Sequence, residues 1–325
     1  MGRAFERLSF LFVAKILPPV FGFAALPFDQ FSRPMTCRSG KKPYFLPAQT
    51  YPAVLYQKFQ PAPHLRPFVE CYFVWESAAL PAGGISVESP PTGFASMVFN
   101  YGEGYRVSTE RHRDLDVPTA FLTGQSTRSY RLDLSGRIGM AGIVFRPAGL
   151  SSLFGLPMYE FADERTALAD VLGVETNALA ERIAQAFTPE ARVAELERFL
   201  NARFLKTSPM PDRTDYAANV IVDRFGIVSV GELLDDVCLS RRQFERQFLH
   251  RVGVSPKYYA RIRRVGFVCA QLATQRWQVA DWHDFIFRAG YYDQSHFIKD
   301  FTEFTGKSPS LYVKGNAELG NFLRT

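Results

Sequence analysis

The sequence predicts an α+β chain: an N-terminal β-rich, barrel-like domain with helices, then an all-α C-terminal domain with two helix-turn-helix motifs. Three observations predict it. From Val54 to Phe145 the apolar residues fall in short runs, FVECYFVW, ASMVFNY, TAFLTGQ, SYRLDL and MAGIVF, cut by Gly and Pro, as in the strands of a compact antiparallel sheet. After Arg146-Pro147 the spacing turns helical in GLSSLFGL, ERTALADVLG, ETNALAERIAQAF and PEARVAELERFLNARFL. The last hundred or so residues carry one pattern twice, the mark of a reused supersecondary unit.

At 325 residues and 47% hydrophobic, the chain is long enough for two domains with buried cores. Residues 1–52 read as an extension and linker. Within them SFLFVAKILPPVFGFAAL, residues 9–26, follows Arg3 and Arg7 and has the look of an export signal, but Lys15 and Pro18-Pro19 interrupt its apolar run. It is too short and interrupted to span a bilayer, so no membrane partner is expected, and Met35 offers an alternative start. Residues 36–52, rich in Pro, Lys and Tyr without periodicity, read as the linker proper.

Residues 53–207 read as the β-rich regulatory domain. Phe145-Arg146-Pro147 is a strand-ending turn, and the last two of its helices open at the caps Thr176 and Thr188-Pro189. SPMPDRT begins a linker over 208–216, and 217–315 reads as nearly all helix.

The four cysteines, Cys37, Cys71, Cys238 and Cys269, show no CxxC spacing, so neither a disulfide framework nor a zinc site is expected and a reducing cytoplasm fits best. His64 and His112 are the only histidines in the first 210 residues and stand far apart; no metal and no cofactor are expected. GxSxG, HExxH, phosphate-binding and dinucleotide-binding motifs are absent, and GEGY at 102–105 is too short for a nucleotide loop. No catalytic residue is assigned, and an enzyme is not expected.

In the repeat, LSRRQFERQFLHRVGVSPKYY from Leu239 aligns with GYYDQSHFIKDFTEFTGKSPSLY, residues 290–312. With Ser240 on Asp293, Phe244 falls on Phe297, Phe248 on Phe301, Gly253 on Gly306 and Pro256 on Pro309. Ser240 and Asp293 are helix-starting residues whose side chains accept backbone N–H groups. The phenylalanines, one turn apart, make an inward stripe. On a helix of about 100° per residue, Arg242 and Arg246 then point directly away from Phe244, and Ser295 and Lys299 do so in the second copy. VSVGELLDDV and QVADWHDFIFRAG are the supporting helices. A short helix, a tight turn and a second helix with an outward polar face form a helix-turn-helix, here at about 229–250 and 278–304. Such a face fits the major groove, where Arg reads guanine and Gln reads adenine.

The chain's net charge is +6, yet Val237 to Arg276 alone carries nine Lys or Arg against one acid, Glu245. An anionic partner is expected there. Between the copies, a connecting helix over about 255–273 would be about 28 Å long, close to the roughly 34 Å between successive major grooves on one face of DNA. Two copies on a rigid rod can read two adjacent grooves.

With those residues in place, the segment from about Arg213 to Lys314 resembles the DNA-binding domain of the AraC/XylS-family transcription regulators, and GYYDQSHFIKDFTEFTGKSPSLY is similar to that family's signature over more than twenty residues. The resemblance implies base contacts from Arg241, Arg242 and Arg246 in the first copy and from Gln294, Ser295 and Lys299 in the second, with His296 at its edge. It implies backbone contacts from Lys257, Arg261, Arg263 and Arg264 on the connecting helix. Departures from the pattern are Cys238 where the first turn usually has Gly, and Leu234 and Ile286 at small-residue positions. MAGIVFRPAGLSSLFGLPMYEFADERTALADVLG, residues 140–173, is similar to a set of AraC-like regulators with a poorly characterised sensory domain. The expected partners are double-stranded DNA, a small-molecule effector of unknown identity, RNA polymerase and, as a homodimer, a second copy. Two other readings stay open: an interaction module that has lost specific DNA recognition, and an enzymatic β-rich half addressed to DNA.

Overall fold

The computed structural model describes residues 54–80, 83–275, 277–279 and 281–322. The signal-like stretch, the 36–52 linker, Cys37, Met35 and Arg276 lie outside the described residues.

The N-terminal part is β-rich. Its strands in chain order are β1 Val54–Phe59, β2 Val69–Ala79, β3 Ile85–Ser89, β4 Ser96–Asn100, β5 Arg106–Ser108, β6 Leu115–Asp116, β7 Ala120–Thr123, β8 Tyr130–Leu134, β9 Arg137–Phe145 and β10 Arg165–Ala167. They form a six-stranded sheet in the order β1-β2-β9-β4-β7-β10 and a four-stranded sheet in the order β3-β8-β5-β6, and every pairing is antiparallel.

Period-2 alternation decides what each face of the large sheet does. Trp75, Val98, Phe121 and Met140 pack toward the small sheet. Their neighbours Tyr72, Val74, Met97, Leu122, Ile143 and Phe145 pack on the opposite side against Leu150, Leu179, Leu196 and Leu200. Those leucines come from α1 Gly149–Phe154, α3 Glu175–Gln185 and α4 Pro189–Thr207; a 3-10 turn at Met158–Phe161 and α2 Leu168–Leu172 lie between α1 and α3. Arg146 ends β9, its N–H donating to Phe68 O at 2.9 Å. Gly149 follows because a Cβ there would stand 2.0 Å from Phe68 O.

Of the two predicted caps, Thr188 accepts from Ala191 N at 3.2 Å, with Pro189 at the first helical position. Thr176 does not cap. The helix begins one residue earlier, at Glu175, and the buried Thr176 hydroxyl donates back to Gly173 O at 2.8 Å. Its oxygen is thereby turned away from the free amides that a cap would serve.

The C-terminal part is helical: α5 Arg213–Asp223, α6 Val230–Val237, α7 Arg241–Val252, α8 Pro256–Thr274, α9 Trp282–Arg288, α10 Gln294–Thr305 and α11 Pro309–Phe322. Asp212 and Asp215 close a reciprocal capping box at the start of α5. The seven helices share one core that includes Phe244, Phe248, Tyr259, Phe297, Phe301 and Tyr312, and Phe94 and Ala148 of the β-rich part belong to it too. The two parts are therefore packed together by apolar burial, not merely tethered.

Candidate nucleic-acid interface

α7 and α10 are built alike, from local rules. Ser240 accepts from Gln243 N while Gln243 accepts from Ser240 N; Asp293 accepts from His296 N at 2.7 Å. Each helix runs 12 residues and ends at a left-handed glycine, Gly253 or Gly306. The stripe Phe244, Phe248, Phe297 and Phe301 is buried, which leaves the opposite faces to solvent.

On α7 that face presents Arg242 and Arg246, with Arg241 at the helix start; all three are exposed. Among the described residues none of the three forms an ion pair, whereas Arg251 near the helix end pairs with Asp212 and, at 3.0 Å, with Asp215. On α10 the outward residues are Gln294, Ser295 and Lys299, also exposed. Lys299 is the only lysine or arginine on α10. His296 lies 3.6 Å from Asp300 and packs edge-on to Tyr291. The two faces thus differ in charge: three free guanidinium groups on α7, one free ammonium on α10.

On the connecting helix α8 the four basic residues separate. Lys257 is exposed and forms no ion pair among the described residues. Arg261 turns inward, giving two hydrogen bonds to Asp300 at 3.0 and 2.7 Å and pairing with Glu303. Burial pushes the Glu303 carboxyl up, but Arg261 and Arg128 outweigh it and hold the group below its ordinary range. Arg264 donates to Gly226 O at 2.9 Å and lies over the Tyr291 ring. Arg263 corrects the sequence-based expectation most directly. Its guanidinium is buried, donates to Thr92 O and stacks 4.4 Å over Phe94, so in this arrangement it cannot reach a phosphate. Burial, its largest influence, lowers its pKa.

The tight turns show how the departures are absorbed. Cys238 adopts φ 50°, ψ 43° at the end of α6, the left-handed region where Gly costs least. The second turn has Gly290 at φ 75°, where a Cβ would meet Ile227 at 2.7 Å. Leu234 packs against the shared core and Ile286 is inside it.

Sequence reasoning missed the residues that dock the two units on the β-rich part. At the first unit, Arg251 also donates to Ser152 on α1 at 2.8 Å, and Arg146 reaches Asn219 at 3.2 Å and Asp223 at 3.4 Å. Burial pushes Asp215 up to about 6 despite Arg251 beside it. At the second unit, Ser129 N donates to Phe304 O at 2.9 Å, Arg128 reaches Glu303 at 3.3 Å and Tyr258 Oη at 3.1 Å, and Lys307 pairs with Glu88. Between them Tyr259 Oη donates to Gly93 O at 2.7 Å. Tyr259 and Tyr312 pack onto their own repeats, against Phe248 and Phe301. Tyr258 crosses instead to Phe304 of the other repeat.

With this geometry in place, comparison with known proteins identifies the helical part. Residues 233–315 match a family model described as a helix-turn-helix domain. The C-terminal domain is an AraC/XylS-type DNA-binding domain. Residues 57–167 match a family model described as a domain of unknown function, DUF6597. No curated protein matches the chain. Among solved structures it is similar to ToxT from Vibrio cholerae with (E)-4-(8-methylnaphthalen-1-yl)but-3-enoic acid bound, at 11% identity and TM-score 0.40, covering 80% of this chain and 99% of that one. A second ToxT structure is similar at 10% identity and TM-score 0.40, covering 75% and 97%. Among the described residues no helix is long and apolar enough to cross a membrane, and no group of three His, Cys, Asp or Glu is placed to hold a metal.

Proposed function

We propose that this chain is a sequence-specific transcription regulator that works where the DNA is, in the cytoplasm, and is controlled through its β-rich domain. The observation that carries the reading is the exposed, unpaired triad Arg241, Arg242 and Arg246 on a helix whose other face is locked into the core. Arginines held apart from acids keep their donors for guanine edges. α7 is the principal reader. α10, with Gln294, Ser295 and Lys299, reads the adjacent groove with less charge behind it, and Lys257 at the start of α8 holds a phosphate. Arg261, Arg263 and Arg264 set the spacing of the two readers from within.

Selection of bound fragments from a random duplex pool at about physiological salt tests the reading. Two short motifs about one helical turn apart are expected; no enrichment would sink it in favour of an interaction module. In the selected site, Arg246→Ala should cost about 1–3 kcal/mol and relax preference at one base pair. An equal loss on every sequence would reduce Arg246 to a backbone contact. Lys257→Ala should weaken all sequences alike and lower the slope of log affinity against log salt by about one unit. A loss confined to one sequence would overturn that role.

A further inference from the structure

The second reading helix carries an acid that is only half satisfied. Asp300 is 1% exposed, and Arg261 of the connecting helix gives both of its bonds, at 3.0 and 2.7 Å, to the same oxygen, Oδ1. The other oxygen, Oδ2, is buried with no hydrogen-bond partner among the described residues. Arg261 is also drawn to Glu303, whose other oxygen is held by Arg128 of the β-rich domain at 3.3 Å. A buried carboxylate oxygen left bare is costly unless a donor comes to it.

The donor within reach is His296, one turn back on the same helix. Its Nε2 stands 3.6 Å from Oδ2, just outside hydrogen-bond range. Tyr291 holds the ring edge-on with centres 5.3 Å apart, and 46% of the side chain stays exposed. On α10 His296 sits about 100° round from the buried Phe297, beside the outward Ser295 and Lys299 and not among them. A residue on that flank of a helix in the major groove meets the phosphate wall before it meets base edges.

We propose that His296 is a proton-linked phosphate contact, its imidazolium giving one N–H to Asp300 Oδ2 and the other to the DNA backbone. The contact rests on the DNA-binding reading above; the histidine–carboxylate pair does not. Neutral imidazole has a single N–H and serves one of the two acceptors, whereas imidazolium serves both. The step transfers one proton from solvent to the ring and breaks no other bond. DNA binding therefore takes up a proton, and affinity rises as pH falls through the neutral range. Around the ring, Asp300 favours the charge, as does Asp293, which accepts His296 N at 2.7 Å. Lys299 and the positive end of α10 oppose it. On α8 Arg261 and Arg264 oppose it less, being engaged by Asp300 and by Gly226 O. Burial raises the pKa of the Tyr291 hydroxyl, which stays neutral.

Fluorescence anisotropy at pH 6 and pH 8, on the selected duplex and on an unrelated one, tests the proposal. Wild type should bind both duplexes about tenfold tighter at pH 6. His296→Gln should lose most of that gain and, at pH 6, show a salt slope lower by about one unit. His296→Arg, permanently charged, should keep the tighter binding at both pH values. The difference between proteins reads the ring, since His250 and His283 are exposed as well. The proposal is overturned if His296→Gln keeps the full pH gain, or if its loss is confined to one base pair with the slope unchanged, which would make His296 a base reader. The pH gain without sequence preference keeps the contact and sinks the regulator, and sequence preference without the gain sinks the contact alone. No binding to either duplex sinks both.

Discussion

Phe248→Ala is expected to destabilise the chain by about 3–5 kcal/mol, the usual cost of truncating a fully buried phenylalanine. Phe248 is 0% exposed, packs edge-on to Phe244 with ring centres 5.6 Å apart, and rests on Tyr259 at 5.8 Å. The hole would open between the reading helix α7 and the connecting helix α8, whose ends are capped and tied on several sides, so the surroundings have little freedom to collapse into it. Tyr259 would lose its support, and its hydroxyl is the group that holds Gly93 of the β-rich domain. Leu249, the next residue, is 42% exposed, and Leu249→Ala should fall within about 0.5 kcal/mol of wild type. Urea unfolding followed by circular dichroism measures both. A loss below about 1 kcal/mol for Phe248→Ala would mean that the helices close over the gap and that the shared core does not hold α7 in place.

The contrast between those two neighbours shows what was legible in the sequence. The paired helices of the repeat announce themselves locally: an accepting side chain at Ser240 or Asp293, phenylalanines one turn apart, and a glycine where the chain must turn left-handed. These signals lie within one helix length, and they gave the outward face of Arg242 and Arg246 by geometry alone, while Arg241 came from the family resemblance. The β-rich class was legible for the same reason, because alternation along MAGIVF separates Met140 and Val144 from Ala141, Ile143 and Phe145. Arg263 was not legible. Helical position gives its direction, but its partner Thr92 is 171 residues away in the chain, and nothing local distinguishes an arginine facing phosphate from one facing a carbonyl of another domain. Thr176 failed for a smaller reason: two hydroxyls near helix starts look alike until burial decides which backbone group each one meets.

Asp300→Ala is expected to cost about 3 kcal/mol, at the low end for breaking a buried ion pair because Arg261 keeps Glu303. Asp300 is 1% exposed on α10 and takes two hydrogen bonds from Arg261 of α8. With the Arg261–Glu303 pair, that bond set ties the connecting helix to the second reading helix, and it lies on the side of α10 away from Ser295 and Lys299. Removing it strips no proposed base contact from DNA. Its effect should appear instead in geometry. On duplexes carrying both selected motifs with the spacer lengthened or shortened by one to three base pairs, the wild type should lose affinity steeply, since a rigid rod fits one groove separation. In Asp300→Ala that dependence should flatten while affinity for the first motif alone stays unchanged. Glu303→Gln, which leaves the Asp300 bonds in place, should keep the steep dependence. If Asp300→Ala loses stability but preserves the spacer dependence, the apolar contacts of Phe297, Phe301 and Tyr312 fix the second helix by themselves, and the Arg261 tie is a matter of stability alone.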